Sequence, residues 1–120
     1  DFLKNNLLSE SEMAFARIVW QSEPIRSGEL VKLCSDKLGW KKPTTYTVLR
    51  NLCKAGIFKN EDAVVSALMT QDEYLAQESS KIVNDRFDGS IARFVTAFAD
   101  KSKLSRKQIE ELKKFIEECE

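Results

Sequence analysis

The 120-residue sequence contains no histidine, only two prolines and four glycines, and no long apolar run. Without histidine, Ser-His-Asp and Cys-His nucleophilic sites are excluded, and nearly every catalytic zinc site is removed. A helix needs about 18 consecutive apolar residues to cross a bilayer, so we expect no membrane insertion. No basic, then apolar leader opens the sequence. We therefore expect a cytoplasmic protein that is not an enzyme.

Cysteine is also scarce. Cys34, Cys53 and Cys119 are odd in number and far apart, which argues against a disulfide framework. We expect all three to be small buried hydrophobic or inert residues without a redox or metal role. The sequence accordingly predicts no cofactor and no metal site.

Basic residues are concentrated in one part of a chain whose formal net charge is zero. Between Lys37 and Asn60 there are six basic residues and no acidic one, whereas from Gln71 onward eleven acidic residues face nine basic ones. A local basic block on a neutral chain predicts an anion-binding surface. A solvated helix face explains the charge alone equally well.

Capping patterns predict two helices in the first part of the chain. Ser9 followed by Glu12 forms a capping box that starts the first helix, and Pro24 ends it. Ser27 is the predicted N-cap of the second helix, and Gly39 is its natural end.

The third helix is predicted from Pro43 to Gly56. Its Thr-Thr-Tyr-Thr-Val run is β-prone, but the apolar residues over the whole segment recur with helical spacing. On a helix these apolar residues and Thr45 fall on one side, and the polar and basic residues fall on the other. We therefore predict an amphipathic helix with a basic outer face.

A β-hairpin is predicted directly after the third helix. Ile57–Lys59 and Ala63–Met69 are short apolar runs around the turn-forming Asn60-Glu61-Asp62. Three helices and a hairpin make a winged helix-turn-helix, which we place at residues 1–70, with Trp20 and Trp40 in its core. The predicted fold class is mainly α with a small β-hairpin wing.

Residues 71–120 are predicted to form a helical dimerisation domain. Thr70 and Glu73, Ser90, and Ser105 mark the starts of three amphipathic helices. About fifty residues cannot easily bury so many aromatic and aliphatic side chains on themselves, whereas a homodimer can. The predicted dimerisation residues are Phe87, Ile91, Phe94, Val95, Phe98, Ile109, Leu112, Phe115 and Ile116.

The third helix of a winged helix is the recognition helix, which lies in the major groove of double-stranded DNA. Arg50 suits a guanine edge or a phosphate, and lysines near a helix N-terminus suit a phosphate. Tyr46 suits a phosphate, but equally well covers the helix edge. The predicted DNA-binding residues are Lys41, Lys42, Thr44, Tyr46, Thr47, Arg50, Lys54 and Lys59.

A set of short motifs extends over the chain from about Leu8 to Ile116. They are Leu8-Ser9-Glu10-Ser11-Glu12, Ile18-Val19-Trp20, Trp40, Thr44, Thr47-Val48-Leu49, Leu52, Gly56, Phe87-Asp88-Gly89-Ser90, Phe94-Val95 and Phe98. In these motifs the sequence resembles the penicillinase-repressor (BlaI/MecI/CopY-type) family. The resemblance implies an N-terminal winged helix, a C-terminal helical dimerisation domain, and repression of an antibiotic- or stress-responsive operon by occupation of a palindromic operator.

The sequence departs from the family pattern at two regulatory positions. In antibiotic-responsive members, a membrane sensor protease partner triggers cleavage of an Asn–Phe bond in the dimerisation domain. The matching positions here are Ala97 and Phe98, so the asparagine is missing. Copper-responsive members carry paired Cys-x-Cys motifs near the C-terminus, where this sequence has only Cys119.

The predicted wing also departs from the family, because Asn60-Glu61-Asp62 replaces a usually basic segment with a glycine turn. An acidic wing permits a second hypothesis. In this alternative, the chain is a winged-helix protein–protein interaction module without sequence-specific DNA binding.

Overall fold

The computed structural model of the chain describes residues 7–119, and the side chains within that range apart from those of 100–102. Over that range, six helices and one small antiparallel sheet confirm the predicted, mainly α fold class. The elements are α1 (Glu10–Ser22), β1 (Ile25–Arg26), α2 (Ser27–Leu38), α3 (Lys42–Lys54), β2 (Phe58–Glu61), β3 (Val64–Ala67), α4 (Gln71–Arg86), α5 (Ile91–Ser102) and α6 (Arg106–Glu118).

Side-chain caps start four of the helices where the sequence predicts them. Ser9 Oγ accepts from the Glu12 N–H, and the Glu12 carboxylate accepts from the Ser9 N–H, before α1. Equivalent reciprocal pairs at Thr70 and Ser105 precede α4 and α6, and Ser90 caps α5. These bonds satisfy backbone N–H groups that have no partner within the helix. Local sequence therefore determines where these helices begin.

Helix α2 begins one residue earlier than predicted. Ser27 is its first residue, and Arg26 stands at the cap position without a side-chain hydrogen bond. Ser27 is only 7% exposed, and its Oγ accepts a hydrogen bond of 3.3 Å from the hydroxyl of Tyr46. Ser27 therefore takes part in a tertiary contact instead of the helix cap that the sequence pattern predicts. The predicted end is confirmed, since Gly39 adopts a left-handed φ of 70° there.

The antiparallel sheet has the order β1-β3-β2. β2 and β3 form the predicted wing hairpin, whereas β1 was not predicted. Ile25 and Arg26 of β1 pair with Val65 and Val64 of β3. A strand of two residues has no alternating pattern to recognise. It exists because the fold brings the α1–α2 connection alongside β3.

The wing turns at Asp62 and Ala63, later than the predicted turn at Asn60–Asp62. Glu61 and Val64 form the last pair of the hairpin. Asp62 and Ala63 both have left-handed backbones, with φ of 53° and 61°. Two left-handed central residues are typical of a type I′ turn, whose twist matches that of the strands.

Ala63→Gly is expected to stabilise the protein by about 0.5–1 kcal/mol. An L-residue in the left-handed region costs about 1–2 kcal/mol, and glycine removes this cost. Part of the gain is offset, because glycine loses more conformational entropy on folding. Urea unfolding measures the change. The matched control is Ala67→Gly, which lies within β3 and is expected to lower the free energy of unfolding. Destabilisation by both variants would contradict the strain at Ala63.

One hydrophobic core fills the space between α1, α2, α3 and the sheet. Phe15 and Phe58 are fully buried at its centre. Trp40 stacks on Phe15 with ring centroids 5.8 Å apart, and Trp20 meets Phe58 edge-on at 5.6 Å. Both tryptophans are half-buried against the core. The prediction that they belong to the core is confirmed.

The three cysteines differ in their surroundings. Cys34 is buried and Cys53 is half-buried, as expected of small hydrophobic residues, whereas Cys119 is exposed, so its being inert stays a prediction. Burial raises the pKa of the Cys34 and Cys53 thiols, and the neighbouring Thr45 hydroxyl opposes this in part at Cys34. The Thr45 hydroxyl has no hydrogen-bond partner of regular geometry, so burial remains the main influence on the pKa of the Cys34 thiol. Fewer thiolates at neutral pH make both thiols less reactive.

The chain forms two compact units, the first ending at Glu78 and the second beginning at Ser79. This boundary lies within α4 because Tyr74, in the first half of the helix, is only 1% exposed and belongs to the core of the first unit. The functional division near residue 70 stays a prediction. No helix in the described range is long and apolar enough to cross a membrane.

Candidate nucleic-acid interface

Helix α3 is amphipathic, as its spacing predicts. Thr45, Leu49 and Leu52 are buried, and the helix packs against α2 on one side and β2 on another. Pro43 stands in the first turn, where its missing N–H costs no helix hydrogen bond. Burial of the inner face therefore overrides the β-propensity of the threonine-rich segment.

The outer face of α3 carries most of the predicted DNA-binding residues. Thr47 donates its hydroxyl to the carbonyl of Pro43 at 2.9 Å, so its methyl group and remaining lone pairs are the groups left for a ligand. The tertiary structure thus presents one continuous polar and basic helix surface. The predicted residues exposed on α3 or directly before it are Lys41, Lys42, Thr44, Thr47, Arg50 and Lys54.

The N-terminus of α3 adds positive potential to this surface. Lys41 is the N-cap and makes no side-chain cap hydrogen bond, and the first turn contains no acidic residue. Free backbone N–H groups and the helix dipole favour an anion at such an end. Lys41 and Lys42 place two full charges at the same end.

The wing contributes little positive charge. Lys59 on β2 is exposed, but its Nζ lies 3.7 Å from a carboxylate oxygen of Glu61. Asp62 at the turn adds a second acidic residue, and Lys59 is the only basic residue between Phe58 and Ala67. The electrostatic attraction for a polyanion therefore lies on α3 rather than on the wing.

Tyr46 differs from the exposed predicted residues in its burial and in its hydrogen bond. It is half-buried, and its hydroxyl donates to Ser27 Oγ. The Nζ of Lys42 lies 6.0 Å from the centroid of its ring. Tyr46 therefore joins α3 to the start of α2.

The sequence analysis did not identify two residues beside this surface as part of the site. Arg26 is an exposed cation on β1, and Ser27 holds the Tyr46 hydroxyl. Both lie outside the basic block of the sequence, and the strand that contains Arg26 has no pattern of its own. Only the pairing of β1 with β3 brings them to the wing.

The second unit exposes the predicted dimerisation residues. Phe87 and Phe94 meet edge-on with centroids 5.3 Å apart, and α5 and α6 border an apolar groove of about 380 Å³ lined by Phe94, Phe98 and Leu112 among others. Phe87 and Val95 are half-buried. The remaining seven are 37–69% exposed: Ile91, Phe94, Phe98, Ile109, Leu112, Phe115 and Ile116.

Ala97 and Phe98, the positions that match the family's cleavage site, lie in the middle of α5. Both are exposed. Proteases bind extended segments, so cleavage here requires local unwinding of the helix.

No group of three or more potential metal-ligating side chains occurs among the described residues.

Two characterised proteins are similar to this chain over nearly its whole length. The Penicillinase repressor of Bacillus licheniformis is 24% identical over 115 residues, which cover 92% of this chain and 90% of that protein. The Methicillin resistance regulatory protein MecI of Staphylococcus aureus strain Mu50 is 22% identical over 113 residues, or 91% and 92% of the two chains.

The family model described as Penicillinase repressor matches residues 8–118. This range includes the helix-turn-helix, the wing and the helices of the second unit. The resemblance predicted from individual motifs is confirmed. The chain belongs to the penicillinase repressor family, whose members are DNA-binding transcriptional repressors and not enzymes.

Proposed function

We propose that the chain represses an antibiotic- or stress-responsive operon by binding, as a homodimer, to a palindromic operator in double-stranded DNA. Helix α3 lies in the major groove, and the wing lies beside it. The observation that carries the proposal is the exposed surface of α3, where cations surround a helix N-terminus without any acidic residue in its first turn. This is the surface that a polyanion with hydrogen-bonding base edges requires.

Each exposed residue has a role set by its position. Arg50 lies on the outer face of α3 and binds a base edge, and Thr44 and Thr47 bind thymine methyl groups or phosphates. The lysines before and along α3 bind phosphates and position the helix. Lys59 makes a weaker phosphate contact from the wing, because Glu61 already neutralises part of its charge.

The exposed apolar side chains of the second unit support homodimerisation. Isolated exposed apolar residues are ordinary, but seven on two successive helices form a surface that a second copy can cover. A two-fold dimer presents two recognition helices, so the half-sites form an inverted repeat about one helical turn apart.

Release from the operator forms part of the proposal. Cleavage between Ala97 and Phe98, triggered by a membrane sensor protease partner, would cut α5 and weaken the dimer. The exposure of both residues makes the bond accessible once the helix unwinds. The methicillin-resistance name of one relative supports an antibiotic-responsive operon.

Selection of bound duplexes from a random pool tests the proposal directly. Purified full chain is mixed with the pool at low and at moderate salt, and the retained duplexes are sequenced. We expect an enriched inverted repeat whose affinity falls steeply with salt, because each neutralised phosphate releases counterions. Absence of enrichment at both salt concentrations would instead support the protein–protein interaction module, for which the acidic wing is the favourable feature.

Arg50→Ala is expected to weaken binding to the selected operator by about 1–3 kcal/mol and to relax specificity at one base position. Fluorescence anisotropy with operator and scrambled duplexes measures both effects. The matched control is Arg17→Ala, which removes an exposed arginine from α1 and is expected to leave operator affinity nearly unchanged. Equal losses in the two variants would show that α3 is not the docking surface.

A further inference from the structure

We infer that Tyr46 is a positioning residue, which fixes the wing relative to the recognition helix through Ser27 and does not contact DNA. Its importance for operator recognition rests on the proposed function. The coupling between α3 and the wing is a property of the free protein and does not depend on that function.

Two hydrogen bonds connect α3 to the tip of the wing. The Tyr46 hydroxyl donates to Ser27 Oγ at 3.3 Å, and the Ser27 N–H donates to the carbonyl oxygen of Ala63 at 2.9 Å. Ser27 is 7% exposed, so water competes weakly for these bonds. A single buried serine therefore links the recognition helix, the start of α2 and the turn of the hairpin.

The geometry leaves Tyr46 poorly suited to bind a phosphate. A phenol has one O–H to donate, and phosphate oxygens only accept. The structure uses this O–H in the bond to Ser27 Oγ. The ring is half-buried, and Lys42 lies over it at 6.0 Å from the centroid, so the cation is the group at this position available to DNA.

The wing needs such a restraint at its tip. β2 and β3 have four residues each, and the third strand of the sheet, β1, pairs with β3 through only two residues, Ile25 and Arg26. Strand pairing this short gives the tip of the wing little stability by itself. Near the end of β3, Trp20 Nε1 donates to the Met69 carbonyl at 2.9 Å, and the Glu23 carboxylate accepts from the Ala67 N–H at 2.8 Å. The bond from Ser27 acts at the opposite end of β3, beside the turn.

Hydrogen exchange in the free protein tests the coupling without DNA. Tyr46→Phe is expected to accelerate exchange of the Ser27 amide and of the wing amides near the turn by about 3–10-fold, the effect of one hydrogen bond. Ser27→Ala retains its amide and is expected to do the same, and the double variant is expected to exchange no faster than either single variant. Unchanged exchange in Tyr46→Phe would overturn the inference.

Operator binding distinguishes positioning from direct contact. Tyr46→Phe is expected to lower affinity for the operator about 3–10-fold, yet to leave affinity for a scrambled duplex within about twofold. The losses in Tyr46→Phe and Ser27→Ala should not add, because both break the same link. Thr44→Val, a hydroxyl deletion on the exposed face, is the control whose loss should add to that of Ser27→Ala.

Two outcomes would separate the inference from the proposed function. Equal loss on both duplexes, additive with Ser27→Ala, would assign Tyr46 a direct phosphate contact and overturn the inference while supporting DNA binding. Failure of the unaltered chain to bind any duplex would overturn the proposed function. Hydrogen exchange would then still decide whether Tyr46 restrains the wing.

Discussion

A chain carrying both Phe115→Asp and Ile116→Asp is expected to be monomeric. We expect it to bind its operator at least about 100-fold more weakly, because a dimer whose two recognition helices bind one duplex gains at least about that factor over a single helix. Phe115 and Ile116 are 65% and 66% exposed on α6, and in the proposed dimer the partner covers them. Unpaired carboxylates in an apolar interface are strongly unfavourable. Sedimentation equilibrium and anisotropy titration measure the two effects.

The matched control for this variant places the same charges on the polar positions Lys113 and Lys114 of the same helix. Both lysines are exposed, so their replacement by aspartate should preserve the dimer. Trp20 and Trp40 lie in the first unit, and their fluorescence should report unchanged packing there in both variants. A Phe115/Ile116 variant that remains dimeric at micromolar concentration would remove these residues from the interface.

Tyr74→Phe is expected to destabilise the first unit by about 1–3 kcal/mol at neutral pH, the effect of leaving a buried polar group without its partner. The buried Tyr74 hydroxyl accepts from the Leu8 N–H at 2.9 Å and donates to the Glu78 carboxylate at 2.9 Å. Its removal leaves the Leu8 N–H without this acceptor. Urea unfolding at fixed protein concentration, followed by tryptophan fluorescence, measures the loss.

The same residue predicts a loss of stability at alkaline pH. Burial is the main cause that raises the pKa of Tyr74 to about 12, from an ordinary value of 10.0. Because the folded state holds this proton more tightly than the unfolded state, its contribution is fully present below pH 10 and is lost as pH rises toward 12. The loss amounts to about 2–3 kcal/mol, since each pKa unit corresponds to about 1.4 kcal/mol.

The variant itself isolates the contribution of Tyr74 from the other effects of alkaline pH on the protein. Tyr74→Phe lacks the ionisable group, so its stability should fall less than that of the unaltered chain between pH 10 and 12. Tyr46→Phe is the control, because it retains Tyr74 and should show the full alkaline loss. Identical pH profiles for all three proteins would contradict the assignment to Tyr74.

Helix starts and the wing differ in how far local sequence predicts them. Ser9 with Glu12, and Ser105 with Gln108, form the capping boxes that their spacing predicts, because both partners lie within one turn of the same helix. The strand β1 and the wing turn at Asp62–Ala63 could not be predicted as they are. β1 depends on pairing with residues about forty positions away, and the turn depends on the register of the hairpin, in which Glu61 pairs with Val64.

The candidate site follows the same division. Charge and helical spacing placed Lys41 and five exposed residues of α3 on one surface, since neighbours on a helix are set by its period. Tyr46 shares that spacing, yet its hydroxyl bonds to Ser27, nineteen positions earlier. No local pattern encodes such a contact.

The amino-acid sequence was sufficient to predict the helical class, four of the helix caps, the basic face of α3 and the family, because these depend on residue type and on spacing within one element or one motif. The tertiary structure decided that β1 exists, that the wing turns at Ala63, that Tyr74 lies in the first core, and that Tyr46 bonds to Ser27. Each of these requires the backbone of one element to meet a side chain or strand of another. Such contacts depend on the packing of the whole core, to which residues far apart in the sequence contribute.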